Sequence, residues 1–475
     1  MAPATGWSGP PRVNPPFVVG LRPGRPFVHR VPIAGSRPLE VDGHGLPAGL
    51  SIDRASGFIG GRTSARGRHR VSVTARNAAG EASATITLAV GDRLALTPPM
   101  GWNSFNRFGC EIDEAKVRAA AEALVAAGLA DHGFAYVNID DGWQGGRDHR
   151  GRIHAHEGFG DLRGLTDDLH AMGLRVGIYS SPGPRTCGGF EGSLGHEADD
   201  AATFAAWGFD YLKYDWCSMR EIERSPDRAA WIAPYRRMRD ALDASGRDIV
   251  HSICQYGKGD VWRWGARAGG HLWRTTPDID DSWASVESIG FGQAGLERWA
   301  GPGRWNDPDM LVVGVVGWGT QSARPTLLTP DEQRTHISLW TLLAAPLLLG
   351  CDLTMLDAPT LELLTNHEVL AIDQDPLGRQ ATRVAVASAG EAWLRPLAGG
   401  AWALGLFNRA DSTSSVGVEW AAIGLPSELA VHDVWARRNL GTAREGLERH
   451  VPSHGSALLR LDPVWSDRAA PSSAE

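Results

Sequence analysis

At 475 residues the chain is too long for one small core, so two or three domains are expected. Hydrophobic residues make up 43% and charged residues 21%, an ordinary globular balance. A net charge of −8 with no Lys/Arg block argues against nucleic acid or an anionic membrane as partner.

No window approaches the roughly 20 apolar residues of a membrane span. The opening "MAPATGWSGPPRVNPP" lacks a basic segment followed by an apolar one, so the default expectation is a cytoplasmic protein, or a secreted one if a leader was trimmed. The cysteines, Cys110, Cys187, Cys217, Cys254 and Cys351, show no CxxC spacing, which speaks against structural zinc and for mostly reduced thiols with at most one or two bridges. The 19 tryptophans fit a core and also fit a sugar cleft, where flat rings receive the apolar face of a pyranose.

Residues 1–92 read as a small β-sandwich. The runs "FVHRVPI" and "HRVSVTARNAAGEASATITLAV" alternate in polarity and flank the turn-rich "GLPAGLSIDRASGFIGGR". "LPAGLSID" and "SGFIGG", followed by "VSVTARNAAGEASATITLAV", resemble the immunoglobulin-like domain often joined to bacterial glycosidases. Nothing in this region carries catalytic chemistry, so it is expected to support or dock.

Residues 93–378 alternate strands with amphipathic helices. Helices are expected over 113–128, 162–172 and 330–344, the last with a capping box from Thr329 and Glu332. Gly128, Gly173, Gly208 and Gly246 sit where helices should end. Between the helices lie "MGWNSF", "YVNIDDGW", "RVGIYSS", "YLKYDWC", "IVHSICQYG", "HLWRTTPDID", "RWNDPDML" and "PLLLGCDL". Eight such runs over about 280 residues are the count and size of a (β/α)8 TIM barrel. A doubly wound sheet is the alternative, but no GxGxxG follows a strand.

Nearly every run begins apolar and ends polar, at Asn103, Asp140 and Asp141, Tyr179, Asp215, Gln255, Asp278 and Asp309. In a barrel these ends converge on one face, where active sites lie. Residues 379–463 return to short strands, an antiparallel β-domain, and 464–475 has a disordered composition. The whole is an α/β architecture with a β-domain at each end of the barrel segment.

A mouth lined with carboxylates, tryptophan and one lysine suits polyol recognition and glycosidic bond chemistry. Two carboxylates can divide nucleophile and acid duties at about 5–5.5 Å separation. The two histidines His154 and His156 lack a third ligand nearby in sequence and are expected at the surface, with no metal and no cofactor.

"TPPMGWNSF", "NIDDGW", "GIYSSPG", "TCGGFEGS", "YLKYDWC", "DIDDSW", "GPGRWNDPDML" and "NHEVLAIDQDPLG", in this order, resemble the α-galactosidases of glycoside hydrolase family 27. The resemblance runs from about Leu94 to the end of the C-terminal β-domain. It implies a retaining double displacement on a carbohydrate substrate, with Asp215 as nucleophile and Asp278 as acid/base. It implies hydroxyl contacts from Asp140, Asp141, Lys213, Arg274 and Asp309, an aromatic wall from Trp102, and a disulfide between Cys187 and Cys217 beside the sugar. Asp280 and Asp281 are expected to cap the next helix, and Asp307 to shape a turn.

Three positions depart from the family pattern. Phe105 stands where tryptophan is common. Cys254, Gln255 and Tyr256 replace Cys-Glu-Trp on the strand that meets the O2 side of the sugar. Trp216 follows the nucleophile where smaller residues are frequent. These departures keep isomalto-type glucans and β-L-arabinopyranosides open as substrates, and a binding protein without turnover is the reading of a different class. Electrostatically, Lys213 is expected to hold the Asp215 carboxyl down, and Asp278 is expected in a drier site.

Overall fold

The computed structural model describes residues 7–224, 227–319, 322–386 and 390–464; the tail beyond Val464, expected to be disordered, lies outside the described residues. Eight parallel strands form a TIM-like barrel: β1 (Met100–Asn103), β2 (Tyr136–Asn138), β3 (Arg175–Ser180), β4 (Tyr211–Asp215), β5 (Val250–Cys254), β6 (Leu272–Arg274), β7 (Trp305–Asp307) and β8 (Leu347–Leu349). They pair in the order β7-β6-β5-β4-β3-β2-β1-β8. Just past β7, Leu311 makes a parallel bridge to Leu349 and completes the ring. Its N–H donates to the Leu348 carbonyl at 2.8 Å, and the Gly350 N–H donates back to it at 3.0 Å.

The helices fall where apolar periodicity and caps predict. Glu114–Ala126 starts on Asp113, whose carboxylate accepts from the Lys116 N–H. Leu162–Ala171 starts on Asp161, and Pro330–Leu342 carries the complete Thr329/Glu332 capping box. The helix Glu197–Trp207 ends at Gly208 with φ 97°, and a Cβ there would stand 2.7 Å from the Thr166 hydroxyl. The helix after β6, Trp283–Phe291, is capped by Ser282, not by Asp280 or Asp281. Ser282 is the residue with extended backbone directly before the first turn, while Asp281 is turned away to Arg324 at 2.6 Å.

Register decides which side chains enter the barrel. Neighbouring strands pair Tyr179 with Lys213 and Lys213 with Ser252, then Asp215 with Cys254. Residues paired across parallel strands share a face, so these project together and alternate residues point to the helices. The interior at the strand starts is closed by Leu94, Tyr136, Tyr211, Val250, Leu272, Trp305 and Ala344, a floor of apolar and aromatic side chains. Tyr136 and Tyr211 meet edge to face with centroids 5.6 Å apart.

The N-terminal region packs beneath this floor. Its four-stranded sheet joins Val18–Leu21, Gly80–Val90, Gly67–Asn77 and Glu40–His44, against a three-stranded sheet built on Phe58–Gly61. Val41, Ile59, Val71, Val73, Ile86 and Leu88 fill the space between and are fully buried. Arg175 at the start of β3 donates to the Val28 carbonyl at 3.1 Å, and Arg30 reaches Asp131 at 2.7 Å. At the other terminus, six antiparallel strands between Thr382 and Pro463 form one sheet, and Ser414–Glu419 pairs with Gly446–Val451 in a second.

Candidate active site at the barrel mouth

Asp215 ends β4 and is 4% exposed. Its Oδ2 accepts from the Tyr179 hydroxyl at 3.0 Å, while Oδ1 is buried with no hydrogen-bond partner. Burial pushes this carboxyl above the usual carboxylate range, and the charge of Asp278 adds to the rise. Lys213 and the phenols of Tyr256 and Tyr179 pull the other way without prevailing. The expected depression is therefore reversed, because desolvation outweighs a lysine already engaged elsewhere.

That engagement is with Asp140. The Lys213 Nζ donates to Asp140 Oδ2 at 2.8 Å, and Asn103 donates to the same oxygen at 2.7 Å. Burial by itself would lower the lysine pKa, but Asp140 and Asp215 hold it well above its usual value. The ammonium lies 5.3 Å from the Tyr179 ring centroid and 5.8 Å from that of Phe105. Asp141 accepts from the Gly142 N–H at 3.0 Å and the Gly188 N–H at 2.6 Å. Its burial raises the carboxyl to about 6, against the pull of these bonds.

Gly188 was not legible as a site residue from its sequence context. A Cβ there would stand 2.8 Å from the Cys110 sulfur and 3.0 Å from Asp141 Oδ2, so only glycine brings this N–H to the carboxylate. Its neighbour Cys187 is disulfide-bonded to Cys217. The Tyr256 hydroxyl lies 3.4 Å from the Cys187 sulfur and the Tyr179 hydroxyl 3.2 Å from the Cys217 sulfur. Ligand atoms of Cys187, Asp215 and Cys217 fall within 4.8 Å of one another, but joined sulfurs are not thiolates and make no cation site.

Arg274 at the end of β6 links the remaining acids. Its Nη2 is 2.8 Å from Asp309 Oδ2 and 3.0 Å from Asp278 Oδ1. Burial opposes its charge, but Asp309 above all, with Cys254, Asp278 and Asp307 adding less, holds its pKa well above the ordinary value. Asp309 also accepts from the Ile279 N–H at 2.9 Å. Asp307 is buried beside them, and desolvation raises its carboxyl to about 6. It also shapes the turn expected of it, since its Oδ1 accepts from the Asp309 N–H two residues on at 2.9 Å.

Asp278 is the exception, with 67% of its side chain exposed at the rim. The dry site expected for it is not found; the loop after β6 leaves the carboxyl open to solvent on one side and bound to Arg274 on the other. Two non-glycine residues of the mouth hold left-handed backbones, Tyr256 at φ 66° and Asp309 at φ 86°. Such geometry is unfavourable for bulky residues and persists where surroundings impose it, commonly at functional sites.

Three candidates lie elsewhere, all for one reason. Trp102 is fully buried, and its indole N–H donates to the Cys351 carbonyl at 2.7 Å with its ring against Phe108. Trp216 stacks on Tyr235 of the helix Arg228–Ala244 at 5.7 Å and meets Trp231 at 4.5 Å. Gln255 is fully buried, one residue out of step with Cys254, and neither of its amide atoms has a partner. Each falls on the strand parity opposite to the inward residues. The aromatic groups at the mouth are Phe105, Tyr179 and Tyr256, and the fifth strand contributes Cys254 and Tyr256.

Known proteins resemble this chain along its length. The Alpha galactosidase A family matches residues 97–375, the Alpha galactosidase C-terminal beta sandwich domain family residues 388–461, and an Ig-domain family residues 10–91. Alpha-galactosidase A of Cellvibrio japonicus is 40% identical over 396 residues, 78% of this chain and 93% of its own. A Bacteroides fragilis structure, provisionally described as an alpha-galactosidase/melibiase, is 36% identical with a TM-score of 0.91, covering 97% of this chain and 100% of its own. The GH27 β-L-arabinopyranosidase of Geobacillus stearothermophilus is 27% identical with a TM-score of 0.71, over 78% of this chain and 97% of its own.

Proposed function

The chain belongs to the α-galactosidase family, glycoside hydrolase family 27, and is a glycoside hydrolase; from that premise we propose that it releases terminal α-galactosyl groups with retention, through Asp215 and Asp278. The observation that carries the reading is the free Oδ1 of Asp215, buried at the centre of the mouth while every other buried carboxylate there is tied to a cation or to backbone N–H groups. A desolvated oxygen without a partner is a ready nucleophile.

In this mechanism Asp215 Oδ1 attacks the anomeric carbon while Asp278 gives its proton to the departing glycosidic oxygen. The covalent bond forms as the C–O bond to the leaving group breaks, and the leaving alcohol carries the proton away. Asp278, now ionised, takes a proton from water, whose oxygen attacks the same carbon and frees Asp215. Tyr179 stays a donor, because burial and the charge of Asp215 push its phenol well above its usual pKa. It therefore holds Oδ2 and directs Oδ1. The exposure of Asp278 suits a group that must meet first a leaving group and then water. Asp140, Asp141 and Lys213 offer acceptors and a donor to vicinal hydroxyls.

A panel of nitrophenyl glycosides tests the substrate, and NMR of the first-formed sugar tests the stereochemistry. The expected result is fastest release from the α-galactoside with α-galactose appearing first. β-L-Arabinopyranose has the same ring stereochemistry without the C6 carbinol. A preference for its glycoside, or for dextran, would move the assignment to that second specificity. Early β-galactose would overturn the double displacement.

A further inference from the structure

Although the chain carries a formal net charge of −8, five arginines line one cavity at the end of the barrel away from the mouth. This cavity, of about 400 Å³, opens at the floor end of the barrel where the N-terminal module meets the helix Arg228–Ala244 and the loops leading into β6 and β7. Arg22 enters it from the module, Arg93 from the segment joining module and barrel, Arg236 and Arg239 from the helix, and Arg304 from the loop before β7.

Two carboxylates, Asp92 and Asp243, face these five cations. Asp243 is shared between Arg22 and Arg239. Asp92 pairs outward with Arg66 at 3.2 Å. His271 also lines the space, but burial holds its ring neutral, and its Nδ1 accepts from the His251 N–H at 2.9 Å. Arg236 donates to the Arg267 carbonyl, which satisfies a donor without cancelling its charge. Among the described residues, the side chains of Arg93 and Arg304 have no hydrogen bond or ion pair, although both border the cavity. The crowding is felt at Arg239, where burial first and the charge of Arg22 second lower the guanidinium pKa.

Arg22 is balanced by Asp243 and by Asp248 at 3.9 Å, and Arg239 by Asp243. That leaves the exposed Arg93 and Arg304, with Arg236, to offer free guanidinium charge around this space, and such a set suits one ligand class. Guanidinium groups present forked donors that match a tetrahedral oxyanion, and several can share one ion. We propose that this cavity binds a small oxyanion of the phosphate or sulfate class, and that the bound ion ties the N-terminal module to the barrel floor. The volume exceeds that of a free ion, so the ligand group can belong to free phosphate or to the phosphate of a sugar. The ion would join Arg93, in the segment that leads from the module into the barrel, to Arg304 in the loop before β7, and neither side chain has another partner among the described residues.

Thermal unfolding of the full chain is the test, with inorganic phosphate, sulfate or galactose 6-phosphate compared with chloride at matched ionic strength. A ligand that binds only the folded state raises Tm, and a rise of about 2 °C is expected at concentrations tenfold above Kd. The rise should vanish in Arg93→Gln/Arg304→Gln, a milder pair of changes than Arg93→Glu/Arg304→Glu, while glycoside turnover stays at the wild-type rate. Protection by inorganic phosphate identifies the free ion, and protection by galactose 6-phosphate alone identifies a sugar phosphate. No protection by any of the three, or equal protection in the double variant, overturns the proposal.

Discussion

The two ends of this barrel use the same strands for opposite purposes. At the floor, the interior positions are Tyr136, Tyr211, Leu272 and Trp305, tightly packed and sealed from below by the N-terminal module. Two to four residues further along the same strands, the interior positions are Asn138, Lys213, Asp215 and Arg274, which are charged or polar and buried, Lys213 in part. The floor contributes burial of apolar area, which stabilises the fold, whereas the mouth carries desolvated charge, which opposes it. The difference teaches that the strands bear an energetic gradient: the stability of the lower half holds the strained upper half in place.

Substitution of Asp215 by Asn should break the mouth with the largest effect. Turnover should fall roughly 10⁴-fold or more, since the nucleophile is lost. Tm should stay level or rise, because a carboxyl whose pKa is raised by burial destabilises the fold when ionised. A large drop in Tm would contradict the contrast between the two ends.

Trp305→Ala attacks the floor instead. The indole is fully buried and donates to the Ala95 carbonyl at 2.7 Å. Denaturant unfolding should show a loss of about 3–5 kcal/mol. The KM of the folded fraction should be unchanged, and a shifted KM would mean that the two ends are coupled.

The mouth should also show itself in pH dependence. Asp141 and Asp307 rise from 3.8 to about 6 on folding. For such acids the folded state holds the proton more tightly. Stability is therefore greatest below the unfolded pKa and falls as pH rises from about 4 to about 6, by on the order of 3 kcal/mol for each group. Asp307→Asn should flatten that slope; an unchanged slope would show that Asp307 ionises normally in the fold.

The smallest effect is expected where the module meets the floor. Asp131 accepts from Arg30 at 2.7 Å and Arg37 at 2.8 Å. Asp131→Ala should cost about 1 kcal/mol, the range of partly exposed pairs, with turnover unchanged. A loss of activity would assign the module a role beyond support.

Much of the site could be read along the chain, because a strand that ends in a carboxylate announces itself locally. Asp140, Asp141, Lys213, Asp215, Arg274 and Asp309 all stand at the mouth. Trp102, Trp216 and Gln255 do not, and the period of two separates them. For Trp216 the signal was available: if Lys213 and Asp215 share a face, the next residue takes the other. For Gln255 it was not, since only the pairing of Asp215 with Cys254 across two strands shows which residue of the fifth strand faces the nucleophile. Gly188 was hidden for another reason: its importance lies in a close approach between loops, not in any side chain of its own.

Taken alone, the sequence determined what depends on neighbours along the chain. This includes the alternation of strands and helices, the capping box at Thr329, and the polar strand ends with their ordered motifs. The tertiary structure alone decided the register that turns Tyr256 and Cys254 toward Asp215, the burial that lifts its carboxyl, and the solvent that reaches Asp278. Those properties arise between segments far apart in sequence. Desolvation and charge interaction depend on what surrounds a group in space, and no run of adjacent residues records that.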